Sequence, residues 1–213
     1  LEDLEIELEK SRSEVCHVFN THSASNIGLV RTINEDAFYV NEKQRLWIVA
    51  DGMGGHMRGD KASASVVDSV RSFTPLKTLS ESIKDLETRF LLSNITCRNM
   101  YGKKVVGSTV AALFAYQSLA VLLWAGDSRI YRLRRGNLAL LTEDHSLVQE
   151  RYRRGEISRD EAQMLPSANV LTRAIGVHQN LRLEMQSSHI RSGDRFLICS
   201  DGLYRELTFK EVQ

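Results

Sequence analysis

Apolar positions along this chain recur with two periods. Ala62, Val66, Val70 and Phe73 fall at i, i+4, i+8 and i+11, which is one face of a helix, and Pro75 lies just beyond it. Ile83, Leu86 and Phe90 predict a second helix, with Ser80 as its N-cap and an end near Met100. Elsewhere the apolar residues cluster in short blocks bounded by turns, the mark of buried strands: residues 47–50, 107–115, 119–125 and 195–199. The blocks at 107–115 and 119–125 are almost continuously apolar, so both their faces should be covered. Residues 15–25, 37–40 and 181–186 also read as strands. Residues 130–133 alternate with Arg129, Arg132 and Arg134, which predicts a strand with one wet face. Turns are expected at Asn26-Ile27-Gly28, Asn41-Glu42-Lys43-Gln44, Arg135-Gly136-Asn137 and Arg191-Ser192-Gly193-Asp194.

Residues 144–154 predict a charged helix closed by Gly155, and Ser158-Arg159-Asp160-Glu161 is a capping box for another that stops before Pro166. Weak apolar stripes mark both as a surface insertion. Strand pairs and amphipathic helices in no regular βαβ order argue for an α+β fold with antiparallel sheets. The expected organisation is an N-terminal extension or linker at 1–14 and one domain at 15–213, C-terminally incomplete, with the insertion at about 144–176. The chain starts at Leu1 and stops at Gln213 inside a helix-like stretch, so it reads as a fragment.

Composition removes several classes. A net charge of +1 gives no global field for nucleic acid or membrane. The longest apolar stretch, 110–125, is broken by Tyr116-Gln117-Ser118 and too short to span a bilayer comfortably. No signal peptide is evident. Cys16, Cys97 and Cys199 are odd in number and far apart, so they read as reduced thiols of a cytoplasmic protein, not a disulfide frame or zinc site. A monomer is expected.

Three of the apolar strands run into an aspartate: Asp51, Asp127 and Asp201. Gly52, Gly54 and Gly55 follow the first and let the backbone approach whatever the carboxylate binds. Alone, each aspartate reads as a cap. Gathered at one sheet edge, three carboxylates cannot all ionise without help, and a divalent cation is the usual help. Oxygen-only ligands suit Mg²⁺ or Mn²⁺. Two such ions, roughly 3.5–4 Å apart, activate water and stabilise in-line displacement at phosphorus. Arg31-Thr32-Ile33-Asn34-Glu35-Asp36 adds one fixed cation and two adjacent carboxylates; taken alone it reads as a solvated turn. Arg31 is the candidate fork for phosphate oxygens. Asp36 and Asp51 lie at opposite ends of a predicted hairpin, and whether they meet depends on register. Trp47 and Trp124 read as core. His56 and His145 read as histidines bonded to loop backbone in preference to proton relays. Arg151, Arg153 and Arg154 read as a solvated helix face, and Cys199 as a small buried hydrophobe.

The ordered set Arg31-x-x-Asn34-Glu35-Asp36, Ala50-Asp51-Gly52-Met53-Gly54-Gly55-His56, Gly107-Ser108-Thr109, Gly126-Asp127-Ser128-Arg129, Asp144-His145-Ser146, residues 169–176 and Ser200-Asp201-Gly202 resembles the bacterial branch of the metal-dependent serine/threonine protein phosphatases, the PPM family. The match runs from about Asn20 to the C-terminus. The resemblance implies a four-layer α-β-β-α sandwich with two antiparallel sheets and a dimetal site at one edge, using two Mn²⁺ or Mg²⁺ ions. It implies that Asp51 bridges the ions, that the Gly52 carbonyl ligates one and that Asp201 ligates the other. Glu35 and Asp36 would hold ion-bound waters, Arg31 would bind substrate phosphate, and Asp127 with Asp201 would hold a third, weaker ion. The segment 144–176 would be the flap beside the site.

The implied substrate is a phosphorylated protein, cleaved at phosphoserine or phosphothreonine by a metal-bridging hydroxide without a covalent enzyme intermediate. The motif style resembles stand-alone phosphatases that oppose a serine/threonine kinase, including those of type VI secretion clusters. Two departures stand out. The family's Gly-x-x-Asp-Asn motif and last strand do not occur before Gln213, and Met53 fills the place where some members carry a histidine as leaving-group acid. The first keeps open a non-catalytic phosphoprotein-binding or regulatory domain on the same fold. A small-molecule phosphatase fits the same residues.

Overall fold

The computed structural model describes residues 17–54, 58–100, 105–158, 161 and 170–213. The segment 1–14, Cys16, Gly55 and His56 lie outside them. The elements run β1 (Asp36–Asn41), β2 (Leu46–Met53), α1 (Gly59–Val70), α2 (Leu79–Met100), β3 (Gly107–Ser108), β4 (Val110–Tyr116), β5 (Leu119–Ala125), β6 (Arg129–Arg134), β7 (Asn137–Leu140), α3 (Leu147–Arg153), β8 (Glu184–His189), β9 (Arg195–Cys199), α4 (Asp201–Tyr204) and α5 (Phe209–Val212).

Two antiparallel sheets form. The larger has the order β1-β2-β4-β5-β8, with β3 extending it along β2; the smaller is β7-β6-β9. Strand alternation sorts the side chains into layers. Leu46, Ile48, Ala50, Val110, Ala112, Phe114, Val121 and Leu123 face α1 and α2, where they meet Val66, Val70, Ile83, Leu86 and Phe90. Trp47, Ala111, Leu113, Leu122 and Trp124 face the other way, onto Ile130 and Phe196 of the smaller sheet. Tyr131, Leu138 and Cys199, on that sheet's outer face, are covered by Leu203, Tyr204 and Val212 of the one-turn helices α4 and α5. The four layers expected from the resemblance are present, the last of them thin.

Both long helices lie where periodicity placed them. Phe73 is fully buried although it sits beyond the end of α1. The N-cap of α2 is Thr78, not Ser80: its Oγ1 accepts from Glu81 N (3.1 Å), and Glu81 Oε2 accepts from Thr78 N (3.2 Å), closing a capping box. The β6–β7 hairpin turns through Arg135 and Gly136, at φ 51° and 75°, the left-handed pair that suits a two-residue turn.

Two strand expectations shift. Residues 17–25 pair with no strand; the Phe19 ring instead packs tilted against Trp47 (centroids 4.8 Å), and Thr21 Oγ1 accepts from Trp47 Nε1 (2.9 Å). Pairing on β5 begins at Glu184 rather than Leu181, because Leu181 and Leu183 pack into the helix-side core. Cys97 and Cys199 are buried and unbonded to each other. Among the described residues no helix is long and apolar enough to cross a membrane.

Candidate active site

The site begins with register. β1 and β2 pair so that Asp36 lies directly opposite Asp51, at the open end of the hairpin. The strand does not stop at Asp51; Gly52 and Met53 continue it by pairing with Ser108 and Gly107 of β3. Gly107-Ser108-Thr109 therefore clamps the main chain on which Asp51 is carried. Thr109 N donates to Asp51 O (2.8 Å), Asp51 N donates to Thr109 Oγ1 (2.9 Å), and Ser108 Oγ donates to Asp51 O (3.1 Å). Thr109 Oγ1 also bonds Ser128 Oγ (2.6 Å), beside Asp127.

Gly52 is required by close approach. A Cβ there would sit 2.0 Å from the Gly59 carbonyl oxygen and 2.8 Å from that of Glu35. Glu35 ties this crossing together: its carbonyl accepts from Gly52 N (3.0 Å) and its Oε1 accepts from Gly59 N (3.1 Å), the first residue of α1. A carboxylate on a helix N-terminus both satisfies an orphan N–H and sits in the favourable end of the dipole.

Asp127 lies in the turn from β5 of the larger sheet to β6 of the smaller, and Asp201 follows β9 of the smaller sheet. Asp127 follows Gly126 (φ 114°), whose N–H donates to His145 Nδ1 (3.1 Å). Asp201 opens α4, and the preceding Ser200 donates from Oγ to Asp36 Oδ2 (2.8 Å), joining the two sheets at the site. Arg31, Glu35, Asp51, Asp127, Leu171 and Arg205 line a cleft of about 260 Å³ that also reaches Gly52 and Asp201. Arg31 is exposed at its mouth, with Nη1 3.9 Å from Glu35 Oε2.

Charge crowding in this cleft is severe. Burial, and then the neighbouring Asp36, Asp201 and Asp127, push the Asp51 carboxyl up to about 8. Burial, followed by Asp201 and Asp144, pushes Asp127 up to about 6, with Arg205 pulling the other way. Burial also raises Asp36, against the hydrogen bond from Ser200. Carboxyls in this state call for a cation, and the donor set, all oxygen, fits a hard one. Among the described residues no three acidic, histidine or cysteine side chains are already drawn in around one point. The carboxylates share a cleft and would have to converge on an ion.

Residues 145–147 and 170–175 are tied to each other and to β3 by backbone pairs. Thr172 N donates to His145 O (2.9 Å), Leu147 N to Val170 O (2.9 Å), and Ile175 pairs with Ser108. His145 is buried, stacked on Trp124 (centroids 6.2 Å), with Nε2 3.3 Å from Glu184 Oε1. It bonds loop backbone, as expected. Trp47 and Trp124 are core, and burial pushes the Cys199 thiol up to about 12, out of reach as a nucleophile. Arg151, Arg153 and Arg154 pair with Glu156, Glu143 and Glu150 at the surface.

Sequence reasoning thus placed Asp51, Asp127, Asp201, Glu35, Asp36, Arg31 and Gly52 in one region, and the structure brings them together. It passed over Thr109, Ser200, Tyr204 and Arg205. Ser200 and Thr109 stand inside quoted motifs; Arg205 had only its four-residue spacing from Asp201 as a signal.

A family model described as Protein phosphatase 2C matches residues 30–212. The serine/threonine phosphatase Stp of Listeria innocua is 37% identical over 200 residues, which is 87% of this chain and 78% of that protein. The solved structure of PppA, described as a key regulatory component of T6SS in Pseudomonas aeruginosa, is 41% identical, with a TM-score of 0.81 over 89% of this chain and 80% of that one. The catalytic domain of the serine/threonine protein phosphatase PstP, solved in complex with two manganese ions, is 32% identical, with a TM-score of 0.75 over 86% of this chain and 77% of that one.

Proposed function

This chain belongs to the protein phosphatase 2C family and is a protein serine/threonine phosphatase, and we propose that it hydrolyses phosphoserine and phosphothreonine by a two-metal mechanism centred on Asp51. The observation that carries this reading is the register pair Asp36–Asp51 with Asp127, from the β5–β6 turn, and Asp201, after β9, closing in on it, a burial of like charge that bound cations would relieve without protonation. Asp51, the Gly52 carbonyl and Asp201 would hold the two Mn²⁺ or Mg²⁺ ions. Bound there, the ions supply a water of lowered pKa and neutralise charge developing at phosphorus.

The chain's own residues do the rest. Arg31 offers a planar fork at the cleft mouth for two phosphate oxygens. Glu35 and Asp36 would accept hydrogen bonds from water, and each is pinned, Glu35 by Gly59 N–H and Asp36 by Ser200. The likeness to PppA, described as a key regulatory component of T6SS, supports a regulatory role, for which a serine/threonine kinase is the natural opponent, and the buried Cys97 and Cys199, in no disulfide, support a reducing, cytoplasmic setting.

The test is hydrolysis of a phosphoserine or phosphothreonine peptide across a Mn²⁺ titration, with and without chelator. Turnover should rise with Mn²⁺ and vanish in excess EDTA. Full activity in EDTA, or metal binding with no turnover of any phosphopeptide, overturns the reading.

A further inference from the structure

Asp127 and Asp201 already share a cation. Arg205 Nε lies 3.0 Å from Asp201 Oδ2, and Arg205 Nη2 lies 3.5 Å from Asp127 Oδ2. One guanidinium therefore bridges two carboxylates that come from different parts of the chain. The Asp127 side chain is only 8% exposed, so this partner matters more than a surface pair would.

The bridge stands on a fixed base. Arg205 N donates to Asp201 O (3.0 Å), closing one helical turn that sets the two side chains side by side. The adjacent Tyr204 donates from its hydroxyl to Asp127 O (3.0 Å). Its ring lies under the Arg129 guanidinium, 3.6 Å from the centroid, and Arg129 is gripped by both oxygens of Asp144 at 2.9 and 2.7 Å. Residues 204 and 205 are thus anchored to Asp127 through main chain and side chain alike. A guanidinium fork meets two carboxylates in directions that a point charge does not need.

Resting on the two-metal reading above, we propose that Arg205 is the resident cation of the Asp127–Asp201 pair, so that a third divalent ion enters this pair only by displacing it. The chain then takes two ions readily, and the third is held off by its own side chain. Arg205 acts here as a positioning residue and competitor, and Asp201 is left shared between an ion on one side and the guanidinium on the other.

The test counts Mn²⁺ directly, by the electron paramagnetic resonance signal of free Mn²⁺ and by calorimetry, on the full chain and on Arg205→Gln. The parent chain should bind two ions, with a third only at far higher concentration. Arg205→Gln should bind the third about tenfold or more tightly, the order set by losing about 1.4 kcal/mol of competing charge interaction. Asp127→Asn combined with Arg205→Gln should return the count to two. A third ion of equal affinity in the parent chain and Arg205→Gln overturns the proposal, as does a count that stays at two in Arg205→Gln. A parent chain that binds no Mn²⁺ instead overturns the two-metal reading itself. If Arg205→Gln fails to fold, Arg205→Lys keeps the charge but not the fork. It should loosen the competition and tighten the third ion by a smaller factor; no change overturns the proposal.

Discussion

Asp36 and Asp51 are direct cross-strand partners in an antiparallel hairpin. Like charges placed opposite each other destabilise a sheet, and here both are also withdrawn from water. The hairpin tolerates this because its other pairs are sound: Phe38 faces Val49, Tyr39 faces Ile48 and Val40 faces Trp47. Its turn is tightened by Arg45 N donating to Glu42 O (3.2 Å) and Gln44 N to Asn41 Oδ1 (3.1 Å). The fold thus holds two carboxylates in a relation that is unfavourable in isolation and useful once a cation arrives.

Asp51→Asn should separate chemistry from folding. The amide keeps the shape of the side chain, and the main-chain bonds to Thr109 do not depend on the charge. Turnover should fall by more than about a hundredfold, since even partners lying behind a metal ligand cost about 10–100-fold when lost. The metal-free variant should melt at a higher temperature than the parent at pH 8, because one buried charge has gone. Near-normal turnover would show that Asp51 is not the bridging ligand.

The same crowding predicts a pH dependence. In the folded chain the Asp51 carboxyl titrates at about 8 and Asp127 at about 6, against about 3.9 in an unfolded chain. Below the unfolded value both states are protonated and the groups contribute nothing. As pH rises the unfolded chain releases its protons first, so these groups destabilise the fold progressively up to the folded values. His145, lowered by burial and by Arg173, acts in the opposite sense below its ordinary value of about 6.5. Above about pH 6.5 Asp127 is largely ionised in both states, so the window from about pH 6.5 to 8 isolates Asp51. In EDTA the melting temperature should fall across that window, and saturating Mn²⁺ should remove the slope. A flat profile in EDTA would contradict the charge crowding.

Much of this was legible in the chain before its fold. Buried strands announce themselves as apolar blocks, and an aspartate at the end of such a block is easy to see. Register is not visible in the same way. Asp36 and Asp51 stood at opposite ends of the predicted hairpin, and only the length and left-handed Arg45 (φ 55°) of the intervening turn make them partners. Residues 17–25 have strand-forming side chains but pair with no neighbour, and pairing is what makes a strand. The β8 boundary moved because Leu181 and Leu183 are apolar for the sake of the helix-side core rather than the ladder. Arg205 was hidden for a different reason: its contact with Asp127 spans 78 residues, and no local pattern encodes it.

Gly52→Ala tests the close crossing beside the site. The added methyl would meet backbone atoms on two sides, Gly59 O at 2.0 Å and Glu35 O at 2.8 Å, and neither is the end of a flexible side chain. The strand must move away from α1, which would break the Gly52 N to Glu35 O bond. Stability should fall by about 3 kcal/mol or more, at the upper end of overpacking costs. Activity should fall with it, because Glu35 and the Gly52 carbonyl shift together. Urea unfolding of the metal-free protein measures the first effect; a loss under about 1 kcal/mol would mean the crossing yields without breaking the Gly52 N to Glu35 O bond.

His145 offers a final test, of how the stretch around Thr172 and the Asp127 turn are joined. Its Nδ1 accepts from Gly126 N, its carbonyl accepts from Thr172 N, and its ring stacks on Trp124. His145→Phe keeps the ring and the main chain but leaves the Gly126 N–H buried without an acceptor, which costs about 1–3 kcal/mol. The turn that carries Asp127 should loosen, so kcat should fall while KM changes little. His145→Asn places a carbonyl oxygen near the position of Nδ1 and gives up the stacking. If the hydrogen bond to Gly126 is what matters, the Asn variant should recover more of kcat than the Phe variant, although it packs less well against Trp124. The reverse order would assign the role to ring packing and leave Gly126 N–H without a part in positioning Asp127.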